Sequence, residues 1–297
     1  MPRVGVPAHL RDVPFTWAQA RAAGLTHSAL RSDPWRHVLR DVWAHRDLSD
    51  TRAFRLEAAK LVLTPNAVCC GATAAWLFGS DVQRIADLDL RVSFPRGKRQ
   101  RPRAGLVVCQ ETLRPSEIVS LGGVQLTSPL RTVFDCLRWL RDPEGLVVAD
   151  ALTHAGLVQL PELGCYLRNV KGLRNVRRAR AYFDDIEPKA ESPMETRGRV
   201  RLVRNGLPRP EAQIVVRDRN GRFVGRLDMG YREQLTAIEY DGADHWLRRR
   251  EDDRRRDNIR ALGWDVIVIS ADDVYSREMT LEAAVWRSLR RNAERSA

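Results

Sequence analysis

Three acidic side chains cluster in the last third of this chain: Asp228 in Leu227-Asp228-Met229, and Glu239 and Asp241 in Ile238-Glu239-Tyr240-Asp241-Gly242. Two strands leaving a turn at Glu233-Gln234 in antiparallel pairing place Asp228 opposite Glu239, roughly 5 Å away on one face. Asp241, two residues on, shares that face. Three carboxylates on one patch repel each other unless something neutralises them. A divalent cation bound through oxygen ligands does so, and so do arginines such as Arg254 or Arg256 folded over the patch. With magnesium or manganese on Asp228, Glu239 and Asp241, the chemistry is phosphodiester hydrolysis, because the ion polarises the phosphate and acidifies a bound water. His245 is then the base for the water or the acid for the leaving oxygen, or a loop histidine held by a structural bond. Glu195 holds a second ion or a metal-bound water, or serves only in the capping box of its helix. Arg254, Arg255 and Arg256 meet backbone phosphates, or lace an exposed helix with ion pairs.

The elements that must position these groups are legible around them. Ser192-Pro193-Met194-Glu195 opens a helix that runs to about residue 205 and stops at Gly206. Strands are predicted over 213–217, 223–230 and 235–241, the first two joined by the hairpin signal Asn220-Gly221. A helix over about 246–262 ends at Gly263, a strongly apolar strand covers 265–269, and a closing helix covers 281–290. The order is α-β-β-β-α-β-α.

That order resembles the core of the restriction-endonuclease-like, PD-(D/E)XK fold. The resemblance implies an Asp on the second strand, a Glu-x-Lys on the third and an acidic residue on the first helix. Asp228, Glu239 and Glu195 fill the acidic places, but Asp241 stands where the lysine belongs, and no lysine follows Lys189. The runs Glu239-Tyr240-Asp241-Gly242-Ala243-Asp244-His245, Asp253-Arg254-Arg255-Arg256-Asp257 and Leu262-Gly263-Trp264 resemble the DUF559 group, related to the very-short-patch-repair (Vsr) endonucleases. This implies a nuclease-like fold without settling whether this copy cuts.

Towards the start, residues 16–23 predict a short helix ended by Gly24, and Thr26 caps a second from His27. Residues 35–44 alternate as a small hairpin does. Helix, turn, helix, hairpin is the order of a winged helix-turn-helix. The pattern Gln-Ala-x-Ala-Ala-Gly-Leu-Thr-x-x-x-Leu-Arg resembles the N-terminal domain of AbiEi-type antitoxins. DNA contact is then expected from Thr26, His27, Ser28 and Arg31, unless this part is a helical bundle that binds protein or only packs.

The middle of the chain, 51–188, reads as mixed α/β and AbiEi-like. Helices are expected over 54–63, 67–78, 130–140, 147–154 and 160–167, with strands over 88–94 and 106–109. Gly79-Ser80 before Asp87-Leu88-Asp89 has the look of a minimal nucleotidyltransferase pattern or of an ordinary half-buried strand. Arg96, Lys98, Arg99, Arg101 and Arg103 form one basic cluster, and Arg174, Arg177, Arg178 and Arg180 a second. Each reads as a phosphate contact or a solvated face.

The chain has 297 residues, 43% hydrophobic and 30% charged, with a net charge of +12. An α/β and α+β multidomain protein is expected, with a winged helix-turn-helix at 1–50, a mixed domain at 51–188 and a restriction-endonuclease-like domain at 189–297. The positive balance points to an anionic partner, DNA first. Five cysteines without a Cys-x-x-Cys pair predict reduced thiols and no zinc. No run of about 18 apolar residues occurs and the start lacks a signal-peptide stretch, so a cytoplasmic protein without a membrane span is expected. Two functions follow: a DNA-binding, magnesium-dependent endonuclease, or a non-catalytic transcriptional regulator or antitoxin of a type IV toxin-antitoxin system. In the second, the nuclease fold serves for binding and the partner is a toxin protein.

Overall fold

The computed structural model describes residues 7–64, 66–80, 89–94, 105–109, 113–241 and 249–296. The chain divides into two compact units, Met1–Arg141 with Ala155–Phe183, and Asp142–His154 with Asp184–Ala297.

The first unit begins with α1 (Ala8–Arg11), β1 (Phe15–Thr16), α2 (Trp17–Ala22), α3 (His27–Leu30), β2 (Trp35–Leu39) and β3 (Val42–His45). Thr16 and Gln19 close a capping box on α2, Gly24 leaves the helix in the left-handed region (φ +81°), and Thr26 caps α3. The strands pair antiparallel in the order β1-β3-β2. Phe15, Ala20, Leu25, Leu30 and Trp35 form the core beneath them. The predicted helices and hairpin are all present, but α3 is a single turn of four residues.

The same unit continues with α4 (Arg52–Lys60), β4 (Val68–Cys69), α5 (Gly71–Leu77), β5 (Leu90–Ser93), β6 (Leu106–Val108), β7 (Ile118–Leu121), β8 (Val124–Thr127) and α6 (Pro129–Trp139). The five strands order as β6-β5-β4-β8-β7. Two elements differ from the sequence reading. The single helix expected over 67–78 begins as strand β4, because its apolar run is buried on both sides between β5 and β8. Residues 118–127 form a hairpin turned by Gly122 and Gly123, both at positive φ, in a stretch for which no strand is expected.

α7 (Glu144–His154) belongs to the second unit. Its buried Asp150 accepts hydrogen bonds from Glu187 N (2.7 Å), Thr196 Oγ1 (2.8 Å) and Arg199 Nη2 (2.8 Å). Burial pushes the Asp150 carboxyl up despite those donors. α8 (Leu160–Asn169) and α9 (Val176–Ala181) return to the first unit.

The second unit then runs α10 (Pro193–Arg204), β9 (Glu211–Arg217), β10 (Phe223–Tyr231), β11 (Thr236–Tyr240), α11 (Arg249–Ala261), β12 (Asp265–Ile269), α12 (Ala271–Tyr275) and α13 (Thr280–Ser296). Its sheet orders as β12-β11-β10-β9. The first three strands form an antiparallel meander, and β12 lies parallel to β11. A parallel neighbour requires a crossover, which α11 supplies. One apolar cluster gathers Leu202, Met229, Ile238, Ile269 and Val285, and another gathers Ile214, Leu227, Ala237, Ile259 and Trp264. The order expected from the sequence is present, with α12 as an addition. Among the described residues no helix is long and apolar enough to cross a membrane.

Candidate functional site

The β10–β11 turn closes with Leu235 N donating to Arg232 O at 3.2 Å, and Met229 pairs with Ile238. One step further along that register Asp228 stands across from Glu239. Asp228 Oδ2 accepts the Tyr240 N–H at 2.8 Å, so its carboxylate leans over the neighbouring strand. Burial pushes this carboxyl up to about 6, and the charges of Glu195 and Glu239 push the same way. The Tyr240 N–H and Arg255 oppose them.

Glu239 is the centre of the patch and is only 2% exposed. Arg255 grips it with two parallel bonds, Nη1 to Oε1 at 2.7 Å and Nη2 to Oε2 at 3.0 Å. Arg256 Nε donates to Oε2 at 3.0 Å, and its Nη2 reaches Asp241 Oδ2 at 3.5 Å. Both arginines come from α11, which packs close because β10 carries Gly225. A Cβ there would meet Ile259 Cδ1 at 2.9 Å and Arg255 Cγ at 3.3 Å. Arg254, one residue away on the helix, is exposed. Of the two arginines that the sequence offers for this role, Arg256 does fold over the patch, while Arg255 and not Arg254 is its partner there. The same helix also carries Arg260–Asp257 at 3.0 Å, so it is laced with local ion pairs as well.

Glu195 sits at the start of α10 and is 8% exposed. Ser192 Oγ accepts its N–H at 3.2 Å, while its Oε2 accepts Glu191 N at 3.1 Å and Gln213 Nε2 at 2.8 Å. Its carboxylate serves the helix entry through Glu191, not through Ser192 N as a capping box would. Gln213 is the residue that sequence reasoning missed. It lies on β9 between Ala212↔Met229 and Ile214↔Leu227, level with Asp228, and its φ is +54°. A non-glycine residue held left-handed within a strand costs about 1–3 kcal/mol and marks a constrained position. Nothing in the sequence distinguishes a glutamine in such a strand from any other half-buried polar residue.

A divalent cation needs several uncommitted oxygen ligands. Here both Glu239 oxygens are taken by guanidinium groups, and Asp228 and Glu195 each accept N–H donors. Among the described residues no group of three acidic, histidine or cysteine side chains is arranged to hold an ion. The residues as arranged do not fit a cation at Glu239, since Arg255 and Arg256 bring positive charge to the same carboxylate. His245 lies outside the described residues, as do Asp87 and the basic cluster from Arg96 to Arg103. Asp89 pairs with Arg40 at 2.6 Å.

At the other end of the chain, Thr26 spends its hydroxyl on capping α3. His27 stacks on Trp17 with ring centroids 3.6 Å apart, and His37 stacks on Trp43 at 4.7 Å. Ser28 and Arg31 are exposed. Of the second basic cluster, Arg178 donates to the Arg138 and Leu140 carbonyls and Arg180 to those of Leu167 and Val170. These two arginines tie off helix ends; Arg174, Arg177 and Arg180 are exposed and Arg178 is half-buried.

Residues 66–184 match the family model described as the AbiEi antitoxin C-terminal domain. The match falls within the stretch 51–188 read from the sequence as AbiEi-like, and does not extend to residues 1–50, whose pattern carries the resemblance to the N-terminal domain. Over 243 residues the chain is 29% identical to the uncharacterized protein Rv2248 of Mycobacterium tuberculosis strain H37Rv, covering 80% of this chain and 86% of the relative. The uncharacterized protein MT2308 of strain CDC 1551 matches to the same extent.

Proposed function

We propose that this protein is a DNA-binding regulator of the antitoxin kind. Its second unit serves as an arginine-locked, restriction-endonuclease-like binding module, and its first fifty residues as a winged helix that reads DNA. One observation carries the reading: Glu239, the carboxylate on which metal chemistry would depend, is buried under Arg255 and Arg256. The antitoxin-domain match of residues 66–184 supports the same reading and adds a toxin protein as the second partner. Exposed Ser28 and Arg31, with a chain charge of +12, supply the cationic and hydrogen-bonding face that a phosphate backbone needs. The test is a mobility-shift titration of the promoter upstream of the protein's own gene, in EDTA. Binding at least tenfold tighter than to scrambled DNA of equal length is expected, weakened by Arg31→Ala. Equal affinity for both DNAs overturns it.

Magnesium-dependent cleavage by Glu195, Asp228, Glu239, Asp241 and His245 is the second reading, favoured by the crowding that pushes the Asp228 carboxyl up to about 6. It requires that Arg255 and Arg256 leave Glu239. Incubation of the protein with plasmid, single-stranded DNA and RNA in manganese decides it, since intact nucleic acid at stoichiometric protein leaves only the regulator.

A further inference from the structure

The first unit contains a cavity of about 630 Å³ that the regulator reading does not use. It opens beside the end of α6 and is lined by Cys70, Cys109, Cys136, Arg91, Arg174 and Trp139, among others. Cavities that enclose small molecules run from about 300 to 1,000 Å³. Two parts of its lining differ in chemistry. The floor is made of thiols from three separate elements. Cys70 N donates to Arg91 O at 3.0 Å where β4 ends, Cys109 N donates to Val92 O at 2.7 Å where β6 ends, and Cys136 lies fully buried on α6. Contact with Cys109 and burial raise the Cys70 thiol well above its ordinary range; burial first, then the Asp135 charge, does the same to Cys136 against the opposing charge of Arg91. Thiols held neutral, as Cys70 and Cys136 are, behave as small polarizable apolar groups, which makes this part of the lining largely apolar.

The rest of the lining carries three arginines, Arg91, Arg138 and Arg174. Arg138 is committed inward, with Nη2 2.5 Å from Asp135 Oδ1 and Nη1 2.9 Å from the Arg174 carbonyl. Asp135 is in turn shared with Arg131, so this part of the lining carries no surplus negative charge. Arg91 and Arg174 are different: among the described residues, neither guanidinium meets a carboxylate. Trp139, 43% exposed, stands beside Arg174, whose guanidinium carbon lies 5.6 Å from the ring centroid.

We propose that this cavity binds a small organic anion with a flat apolar body, its phosphate or carboxylate head at Arg91 and Arg174 and its body on the thiol floor against Trp139. An apolar ligand without charge would leave the two arginines unpaired, and an inorganic anion would leave the floor empty. The antitoxin-like part of the chain would on this view be a ligand-responsive module. The proposal stands apart from the DNA reading, because it needs no DNA in the assay.

The experiment is calorimetric titration of the full chain with four probes: 1-naphthyl phosphate, 1-naphthoate, inorganic phosphate and 1-naphthol. One site per chain is expected for at least one of the first two, at least tenfold tighter than for either half-probe. Which of the two binds better identifies the head group. Arg91→Gln and Arg174→Gln should each weaken binding by about tenfold, and Arg174, being exposed, can be replaced without unfolding the unit. The proposal is overturned by no saturable heat from either two-part probe, by inorganic phosphate binding as tightly as naphthyl phosphate, or by affinities unchanged in both variants.

Discussion

Each unit of this molecule holds a buried carboxylate between two arginines, and the two arrangements behave differently. In the first unit Asp135 is bound by Arg131 and Arg138, both 1% exposed, and Arg131 reaches on to Glu117, which Tyr166 also binds at 2.7 Å. In the second, Glu239 is bound by Arg255 and Arg256, whose side chains keep 31% and 12% of their surface in contact with solvent. A guanidinium sealed in the interior cannot leave without stranding a charge. One at the surface exchanges its carboxylate for water, a phosphate or a cation at small cost. The same pairing of a carboxylate with two guanidinium groups therefore makes a fully sealed network in one unit and, in the other, a buried carboxylate held by arginines that keep some contact with solvent.

The comparison breaks first at its strongest point. Asp135→Ala should strand Arg131 and Arg138 and cost about 3–5 kcal/mol in denaturant unfolding; a loss below 1 kcal/mol would put both networks in the same class.

The second expectation turns on protons. The Asp228 carboxyl is pushed from 3.8 up to about 6, first by burial. A carboxyl raised on folding carries no penalty below its unfolded value, and the penalty grows as pH rises through the folded one. The wild-type unit should thus lose stability between about pH 4 and pH 6. Asp228→Asn, which can still accept the Tyr240 N–H, should be about 2–3 kcal/mol more stable than wild type at pH 7.5 and no different at pH 4. Melting curves at the two pH values check it.

Glu117 has the opposite sign. Burial alone would raise its carboxyl, but the Arg114 N–H, the Tyr166 hydroxyl and Arg131 outweigh burial and hold it below its usual range. Its stabilisation is therefore present above the unfolded value of 4.5 and is lost as pH falls through the depressed folded value. Glu117→Gln should cost about 1.5–3 kcal/mol at pH 7, shrinking towards zero in acid. The same loss at every pH would remove the contrast in sign.

Smaller still, Arg255→Ala should cost about 1 kcal/mol, since Arg256 stays on Glu239 and the lost pair is partly solvated. With Arg256 still on Glu239, calorimetry should find no manganese binding in this variant; binding tighter than in wild type would favour the second reading and show that Arg255 guards the site. Least of all, Gln213→Gly should leave stability within about 0.5 kcal/mol of wild type, because relief of the left-handed strain offsets the lost bond to Glu195. A melt displaced well beyond that would mean the strain is absent or the bond far stronger.

Much of the frame is legible in the sequence because its signals are local. Thr16, Thr26 and Ser192 accept their helices' N–H groups, Gly24 and Gly263 sit at positive φ where helices stop, and Asn220-Gly221 turns β9 into β10. The same locality explains the misreading at 67–78. An apolar run of that length suits a buried helix or a buried strand, and only the pairing of Val68 and Cys69 with both β5 and β8 selects the strand. The hairpin over 118–127 was hidden because its strands are only four residues each and β7 is half-exposed. The acidic patch was legible down to its register, since counting from a turn fixes which residues oppose each other.

The sequence by itself determined that carboxylates at 228 and 239 must meet, because strand periodicity and a two-residue turn leave no other pairing. It also determined that no lysine follows Lys189, so none stands on β10, β11 or α11. Only the tertiary structure decided what neutralises them. Gly225 lets α11 approach β10 closely enough for Arg255 and Arg256 to close on Glu239. The docking of a crossover helix on a sheet is a long-range packing event that no local spacing encodes. The fold alone likewise gathered Cys70, Cys109 and Cys136 from distant segments into one cavity floor, and joined the helix Glu144–His154 to the last part of the chain through Asp150 and Arg199.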